Sequence, residues 1–442
     1  MGSADRRLRG VSLFSNCGAG DVGFRRAGFT FDVLAEIDAR RLSVAKLNHP
    51  EAVPIQGDLR QTWKAVVAQY KALAGKERLA LLSACPPCQG MSSVRGDRGS
   101  EIDLDAAARD ERNLLVLPIA SVARALQPRI IVVENVPAFF RRLVRDPKTG
   151  RGIPAAQLLI AALTREYVVY PILCDLADFG IPQTRKRAFL TFIHRSEAAL
   201  PLLRTRNLTP YPRPTHGESR DRITLGKALS RAKLPRLDAR SPRTATDETR
   251  PLHFVPVWDG DRYAMISAIP SNSGKSAWQN SRCPDCNKHV ADTNKARCPA
   301  CHSILLRPVV RNSNGSVRLI NGFRSSSYRR MNPNRPAATI TTASGHVGSA
   351  FTIHPSQNRV LSPLECLLIQ TIPRSFCWGD SLERFGVSVV RDMIGEAVPP
   401  LFTAKHGRTL VKILRASCLR MTLRVDDHRS TRAARLLTCD EG

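Results

Sequence analysis

Two cysteines, Cys85 and Cys88, are separated by two prolines in the stretch LLSACPPCQGMSS, which covers residues 81–93. Three kinds of chemistry use thiols in such a position. A redox pair has this CxxC spacing before a helix, a metal site needs a second cysteine pair, and a single nucleophile needs a partner that handles protons. The spacing alone does not choose among them.

Two later segments carry the groups that a nucleophilic thiol would need. Glu134 lies near the end of the apolar run RIIVVEN (129–135), and Arg185 and Arg187 belong to QTRKR (183–187). An acid and paired arginines beside a thiol suit attack on an electron-poor ring, because the charge that develops on the ring must be neutralised. These segments therefore favour the nucleophile.

The elements that must position these groups alternate between β-rich runs and amphipathic segments. Strands are predicted at 11–14, 32–37, 79–84, 129–135, 168–174 and 187–193, and helices at 38–48, 61–74, 113–126 and 153–165. This alternation predicts an α/β fold with a parallel, doubly wound sheet whose sites lie at the carboxyl ends of its strands.

The domain organisation follows from a change in composition near residue 195. Residues 1–194 form the first part of the α/β domain, and the Pro/Arg/Ser/Thr-rich residues 195–334 are predicted to form a smaller, irregular second domain. Residues 335–410 return to the first domain. A basic tail, 411–442, follows as a final helix or an extension.

A glycine-rich turn, LFSNCGAGDVGF (13–24), follows the first strand and opens a predicted helix. Small residues let a ligand approach the backbone there, and a helix N-terminus favours a negative group, although such turns also serve packing. Glu36, about 20 positions further on, suits ribose hydroxyls. Asp58 offers another acid, but a lone aspartate is more often a helix cap.

A second cysteine pattern lies in the second domain, in RCPDCNKHVADTNKARCPAC. Two CxxC pairs with a short basic spacer are typical of a tetrahedral structural zinc site. The predicted ligands, within residues 283–301, are Cys283, Cys286, Cys298 and Cys301.

The charge balance indicates the class of partner. The chain has 67 Lys and Arg against 38 Asp and Glu, a formal net charge of +29, and such a field attracts polyanions. Arginine scattered without function is the alternative. A hydrophobic fraction of 43% excludes wholesale disorder, and no apolar run is long enough to span a membrane. We expect a soluble, cytoplasmic protein.

Seven ordered segments resemble the motifs of the DNA (cytosine-5)-methyltransferases of bacterial type. They are PPCQG (86–90), DERNLL (110–115), ENV (134–136), QTRKR (183–187), PAATITT (336–342), RVLSPLECLLIQTIP (359–373) and GEAVPP (395–400). The resemblance implies a Rossmann-like methyltransferase domain that uses S-adenosylmethionine, and a target-recognition domain at 195–334.

The resemblance also implies catalytic roles. Cys88 is the nucleophile that adds to C6 of cytosine, Glu134 acts at N3, and Arg187 reaches O2, with Arg185 adding positive charge. Cys85 is then a small buried neighbour, and residues 91–105 form a loop that closes over a flipped base.

By the same resemblance, eight residues line the cofactor pocket: Phe14, Gly18, Glu36, Ile37, Asp58, Pro86, Glu396 and Val398. Two positions depart from the family pattern. Asn16 stands where glycine is usual, and Glu396 stands where asparagine is usual, which places an extra carboxylate near the cofactor.

The function implied is methylation of cytosine C5 in duplex DNA by a monomeric, nucleoid-associated enzyme, either paired with a restriction endonuclease or solitary. Three alternatives are a transfer-RNA cytosine methyltransferase, a non-catalytic DNA-binding relative, and a thiol oxidoreductase in which Cys85 is as essential as Cys88.

Overall fold

The computed structural model describes residues 7–87, 111–218, 220–321 and 326–416. Its strands are β1 (Leu8–Leu13), β2 (Phe29–Glu36), β3 (Val53–Gln56), β4 (Leu81–Ala84), β5 (Ile130–Asn135), β6 (Leu143–Arg145), β7 (Gly152–Pro154), β8 (Tyr167–Asp175), β9 (Lys186–His194), β10 (Val309–Arg311) and β11 (Val317–Leu319).

The α-helices are α1 (Ala19–Arg26), α2 (Ala39–Asn48), α3 (Leu59–Ala74), α4 (Val116–Leu126), α5 (Ala155–Leu163), α6 (Leu200–Thr205), α7 (Leu225–Ala232), α8 (Pro242–Ala245), α9 (Gly260–Ser267), α10 (Pro363–Ile369), α11 (Ser381–Glu396) and α12 (Pro400–Arg415). Short 3₁₀ turns cover Glu111–Leu115, Pro137–Phe140, Leu176–Phe179 and Ala277–Gln279.

Seven strands form the central sheet in the order β3-β2-β1-β4-β5-β9-β8. The first five pair in parallel, as predicted, whereas β9 runs antiparallel between β5 and β8. The expectation of a wholly parallel sheet is therefore wrong at this edge. The short connection from β8 to β9 makes a hairpin, and a hairpin can only pair antiparallel strands.

Both faces of the sheet are covered, because its strands are apolar on both sides. One core packs α3, α4 and α5 against one face of the sheet, and the other packs α1, α2, α6 and α12 against the opposite face. Helix α12 continues past residue 410, where the tail was predicted to begin. Acidic caps begin two of the helices: Asp38 accepts from the second residue of α2, and Asp58 does the same for α3.

The second region, after β9, has short helices and a core of its own. Trp258, Ile266 and Ala277 pack there with Ile353 and Val360, which come from beyond the predicted boundary at residue 334. Residues 335–410, which were predicted to return to the first domain, thus contribute to the cores of both regions. Within the described residues, no helix combines the length and the apolar character that crossing a bilayer requires.

Helices α1 and α12 pack so closely that Gly23 has no room for a side chain. A Cβ atom at this position would lie 2.3 Å from the carbonyl oxygen of Pro400 and 2.0 Å from the Thr403 hydroxyl. We expect Gly23→Ala to lower the free energy of unfolding by more than about 3 kcal/mol, because backbone as well as side chain would have to move.

Chemical denaturation measures this effect, and Gly260→Ala is the matched control. Gly260 begins α9, and an added Cβ there meets no atom within 4 Å. Equal stability of the two variants would contradict the packing described.

Candidate active site

The predicted acid and one of the two predicted arginines meet at the carboxyl edge of β4 and β5. Ala84 pairs with Val133, so that Cys85 and Glu134 leave neighbouring strands side by side. Because β9 is antiparallel, it begins at this same edge and brings Arg187 close to Glu134. The antiparallel strand β9 therefore supplies the cation, and the parallel strands β4 and β5 supply the thiol and the acid.

The carboxylate of Glu134 is buried and held on both oxygens. Arg187 Nε lies 2.8 Å from Oε1, and the Cys85 thiol donates to Oε2 at 2.8 Å. Glu134 is 6% exposed, and the low local polarity strengthens both interactions. Cys85 is half-buried and contacts the acid directly, a role that the sequence did not indicate.

The residue after the acid, Asn135, fixes the start of the cysteine loop. Its side-chain amide donates to the carbonyl oxygen of Pro86 at 3.1 Å, and its Oδ1 accepts from the Val136 backbone. This bond holds the Pro-Pro segment against β5. The predicted nucleophile Cys88 and the predicted loop 91–105 lie outside the described residues, which end at Pro87 before resuming at Glu111.

Arg185 has different neighbours from Arg187. Its side chain is 1% exposed, and its guanidinium donates to the carbonyl oxygens of Ile340, Gly395 and Ala397 at 3.0–3.1 Å. These contacts tie the start of β9 to the returning chain. These bonds give Arg185 a positioning role, and the positive charge that it was predicted to add to the catalytic site stays a prediction.

The turn after β1 has an unusual backbone. Phe14, Asn16 and Gly18 all have positive φ, at 55°, 48° and 75°. Only glycine adopts this region without strain, and asparagine tolerates it better than other residues, so the substitution at position 16 is compatible with the turn. A side chain at Gly18 would also meet the His49 ring at 2.8 Å.

Glu36 closes the same site from the end of β2. Its Oε2 accepts from the Asn16 backbone at 2.8 Å, and its Oε1 accepts from the Ile37 and Asp38 backbones. Burial raises the pKa of the Glu36 carboxyl, while these N–H groups and Arg41 oppose the shift. Next to it, Ile37 is 62% exposed, an unusual position for a large apolar side chain.

These features fit a nucleoside cofactor. Within the described part of the chain, Glu36 Oε2 accepts only one hydrogen bond, so it keeps a lone pair that can accept from a ribose hydroxyl, and the exposed Ile37 can support an adenine ring. Asn16 Oδ1 is buried without a hydrogen bond among the described residues. Val398 contacts the turn as well, packing against Gly20.

Asp58 follows β3 and caps α3, which is the role that a lone aspartate most often has. It accepts from the Arg60 backbone, and Arg60 also contacts both of its oxygens, at 2.6 Å for the closest pair. This Arg60 contact is the main reason why the pKa of Asp58 is lowered. Recognition of adenine by Asp58 stays a prediction.

The four predicted metal-ligating cysteines are brought together. The Sγ atoms of Cys283 and Cys301 are 3.4 Å apart, those of Cys286 and Cys298 are 3.7 Å apart, and all four lie within 4.8 Å of one another. Zinc with Zn–S bonds of about 2.3 Å places tetrahedral sulfurs about 3.8 Å apart, whereas a disulfide needs about 2.05 Å. The donor set and its spacing fit zinc.

A buried arginine beside this cluster hydrogen-bonds to four backbone carbonyls. Arg307 is 2% exposed and donates to the carbonyl oxygens of Asn280, Val290, Asp292 and Lys295. Burial lowers the pKa of Arg307. Its bonds join the spacer between the two cysteine pairs to the base of the module, where few apolar side chains are available.

A family model for C-5 cytosine-specific DNA methylases matches residues 8–412. The chain therefore belongs to the C-5 cytosine-specific DNA methylase family, and it is an enzyme that methylates cytosine C5 in DNA. The resemblance seen in the seven motifs is confirmed.

Full-length relatives are similar to this chain along most of its length. The Type II methyltransferase M1.HgaI of Avibacterium volantium is 26% identical over 416 residues, 92% of this chain and 98% of that protein. The Type II methyltransferase M1.HphI of Haemophilus parahaemolyticus is 24% identical over 404 residues, 91% and 86%.

Solved structures agree on the fold. The Entamoeba histolytica methyltransferase EhMeth has a TM-score of 0.52 at 13% identity, covering 93% of this chain and 99% of that one. The Spodoptera frugiperda DNMT2 structure has a TM-score of 0.50 at 14% identity, covering 92% and 99%.

Asp21, in the first turn of α1, is a buried acid that the sequence analysis did not select. Its Oδ2 accepts from the Ser12 hydroxyl at 2.7 Å, and burial raises the pKa of Asp21 to about 7. A raised pKa in the folded state means that stability falls as the pH rises from about 4 to about 7. Asn cannot ionise, so Asp21→Asn should be more stable than wild type at pH 8, by up to about 4 kcal/mol, and similar to it near pH 4.

Thermal unfolding across this pH range measures the difference. Asp38→Asn is the control of opposite sign, because the Arg40 contact lowers the pKa of Asp38 and its removal should cost stability at pH 8. A pH-independent difference between Asp21→Asn and wild type would contradict a buried, titrating carboxyl.

Proposed function

We propose that this enzyme methylates cytosine in duplex DNA through a covalent bond between Cys88 and C6 of the flipped base. The observation that carries the proposal is the contact of Arg187 with Glu134 beside Cys85 and Pro86, at the edge from which the cysteine loop departs. An acid and a cation held together there suit a ring that gains negative charge on attack.

Each residue has a part in the reaction. The Cys88 thiolate adds to C6, and Glu134 holds a proton at N3 so that the ring electrons displaced by the new bond are neutralised. Arg187 donates to O2, while Arg185 and Asn135 position the two strands and the Pro-Pro segment. Addition at C6 makes C5 nucleophilic, so C5 would bond to the methyl group that bound S-adenosylmethionine supplies, and the electron pair of the broken S–CH3 bond would stay on sulfur. Loss of the C5 proton and departure of the thiolate would then restore the aromatic ring.

S-Adenosylmethionine would be held by Glu36, Ile37 and the turn at Phe14–Gly18, with Asp58, Pro86, Glu396 and Val398 around it. When bound, it supplies an electrophilic methyl group. Glu36 orients it by accepting from ribose hydroxyls, and Ile37 covers one face of its adenine.

The proposed substrate follows from the net charge of the chain, and the proposed biological role follows from the proteins to which it is similar. A +29 chain neutralises several DNA phosphates, and a base inside a duplex must be flipped to reach the thiol. Because its full-length relatives are Type II methyltransferases, we place the enzyme in restriction–modification, with a nuclease partner or as a solitary methylase, acting as a monomer at the nucleoid.

The nucleophile can be identified by trapping. DNA with 5-fluorocytosine at the target lacks the C5 proton whose loss frees the enzyme, so wild type should form a stable covalent complex. Cys88→Ser should form at least about a hundredfold less while still binding DNA. Cys85→Ser should trap DNA, because a hydroxyl can donate to Glu134 as the thiol does; Cys85→Ala should trap it more slowly.

Denaturing gels resolve these complexes. Normal trapping by Cys88→Ser would refute the mechanism, and loss of trapping by Cys85→Ser in a protein that still binds cofactor would favour the dithiol oxidoreductase. Trapping of transfer RNA in place of duplex DNA would support the RNA alternative, and an inert but DNA-binding wild type would support the non-catalytic one.

We also propose that Cys283, Cys286, Cys298 and Cys301 bind one structural zinc ion. Four thiolates complete a tetrahedral shell, which leaves no position for a reacting group. The cluster lies in the second region, whose small apolar core needs such a crosslink.

Metal analysis of the purified protein should give about one zinc per chain. Cys298→Ser should lose the metal and most sequence-specific DNA binding, yet keep cofactor binding, because the described hydrogen bonds of Asn280 and Arg307 beside the cluster are made within the second region. The matched control is Cys377→Ser, which removes an exposed thiol outside the cluster. Metal-free wild type with four freely reactive thiols would contradict the site.

A further inference from the structure

The two positions at which the chain departs from its family pattern lie together in the structure. Asn16 belongs to the turn after β1, and Glu396 is the last residue of α11. Helix α11, in the returning part of the chain, packs against α2. Its end therefore lies on the side of the first domain that carries the predicted cofactor residues. Each departure makes a contact across this junction.

Asn16 makes two bonds, of which glycine could make only one. Its backbone N–H donates to Glu36 Oε2 at 2.8 Å, as any residue could. Its side-chain Nδ2 donates to the carbonyl oxygen of Met393 at 3.0 Å, across 377 positions of sequence. The side chain therefore adds a bond between the cofactor turn and α11.

Glu396 makes the second contact, to Arg41. Glu396 Oε2 and Arg41 Nη1 are 2.5 Å apart, and the side chains are 32% and 20% exposed. Arg41 lies on α2, just after Glu36. Met393 and Glu396 are one helical turn apart, so both contacts fall on the same side of the last turn of α11.

The ion pair removes the difficulty that an extra carboxylate would create. Arg41 interacts electrostatically with both Glu396 and Glu36. Burial and the charge of Glu396 raise the pKa of Asp392, and Arg41 and Arg40 oppose that rise. Arg41 opposes the rise in the pKa of Glu36 that burial causes. Arg41 thus favours the carboxylate form of Glu36, which is the stronger acceptor for a ribose hydroxyl.

Two atoms of this group lack hydrogen bonds within the described ranges, although Arg41 Nε lies 3.9 Å from Asp38 Oδ2 in an ion pair. Asn16 Oδ1 and Arg41 Nε are buried and make no hydrogen bond among the described residues. Buried polar atoms in folded proteins are nearly always paired with protein, water or ligand. Both residues act on the carboxylate to which we assign the ribose, Asn16 through its backbone N–H and Arg41 through its charge.

We propose that Asn16, Arg41, Met393 and Glu396 form a clasp that joins the two halves of the cofactor pocket and sets the affinity for S-adenosylmethionine. The proposal rests on the proposed cofactor site. Asn16, Arg41 and Glu396 are positioning residues: they hold the turn and Glu36 in place, and the Asn–Glu combination replaces the glycine and asparagine of the family.

Calorimetry on the full-length chain tests the clasp with S-adenosylmethionine and S-adenosylhomocysteine. Asn16→Gly and Glu396→Asn should each weaken binding about fivefold, because either change opens one contact between the turn and α11. Combined, they should weaken it by clearly less than the product of the single effects, because the clasp is already open after the first change.

Neutralising the ion pair separates positioning from general stability. Arg41→Gln and Glu396→Gln should each weaken binding about fivefold, and the double variant should be weakened by clearly less than the product of the single effects, because either change already breaks the ion pair. Ligand-free melting temperatures should vary far less than the affinities. Arg40→Gln is the matched control: Arg40 is a more exposed neighbour that pairs with Asp38, and its loss should leave affinity unchanged.

If the clasp variants bound the cofactor as tightly as wild type does, the clasp would be overturned and the proposed function would stand. Independent, multiplying effects of Asn16→Gly and Glu396→Asn, or of Arg41→Gln and Glu396→Gln, would overturn it as well. A folded wild type that binds neither cofactor would overturn the proposed function and the clasp together.

Discussion

The buried guanidinium of Arg185 holds together parts of the chain that are far apart in sequence. Taking a cation out of water is costly unless its donors are satisfied, and three carbonyl oxygens of the returning chain accept from it. Gln183 works beside it, accepting from the Ile340 backbone and donating to Gln370. These bonds fix the start of β9, and with it the position of Arg187 beside Glu134.

The groups at the active-site edge are likewise held in place by hydrogen bonds and close packing. Asn135 holds the Pro-Pro segment, Cys85 and Arg187 hold the acid, and Gly395 packs so tightly that a Cβ would lie 2.5 Å from the backbone of Thr341. Sites built on strand ends with locked rotamers keep their geometry without ligand. The second region then needs only its own small core and cysteine cluster.

Much of the fold could be predicted from sequence, because buried strands and amphipathic helices have periodic apolar patterns. Strand β3 was missed since it is short, lies at the sheet edge and contains Pro54. The direction of β9 was out of reach, because periodicity indicates a strand but not its polarity. The shared core of the second region was missed because packing between distant segments leaves no local signal.

The site was predictable to the extent that motifs name residue types, and less so for their partners. QTRKR contains two arginines, yet only the pairing register of β9 separates a buried anchor from a residue that contacts the acid. Likewise, Asn16 and Glu396 look like two independent departures until Arg41 and the Met393 carbonyl are placed beside them. A carboxylate that is unfavourable alone becomes acceptable once a cation one helix away pairs with it. Departures from a family pattern are therefore best interpreted in pairs, through the contacts that they share.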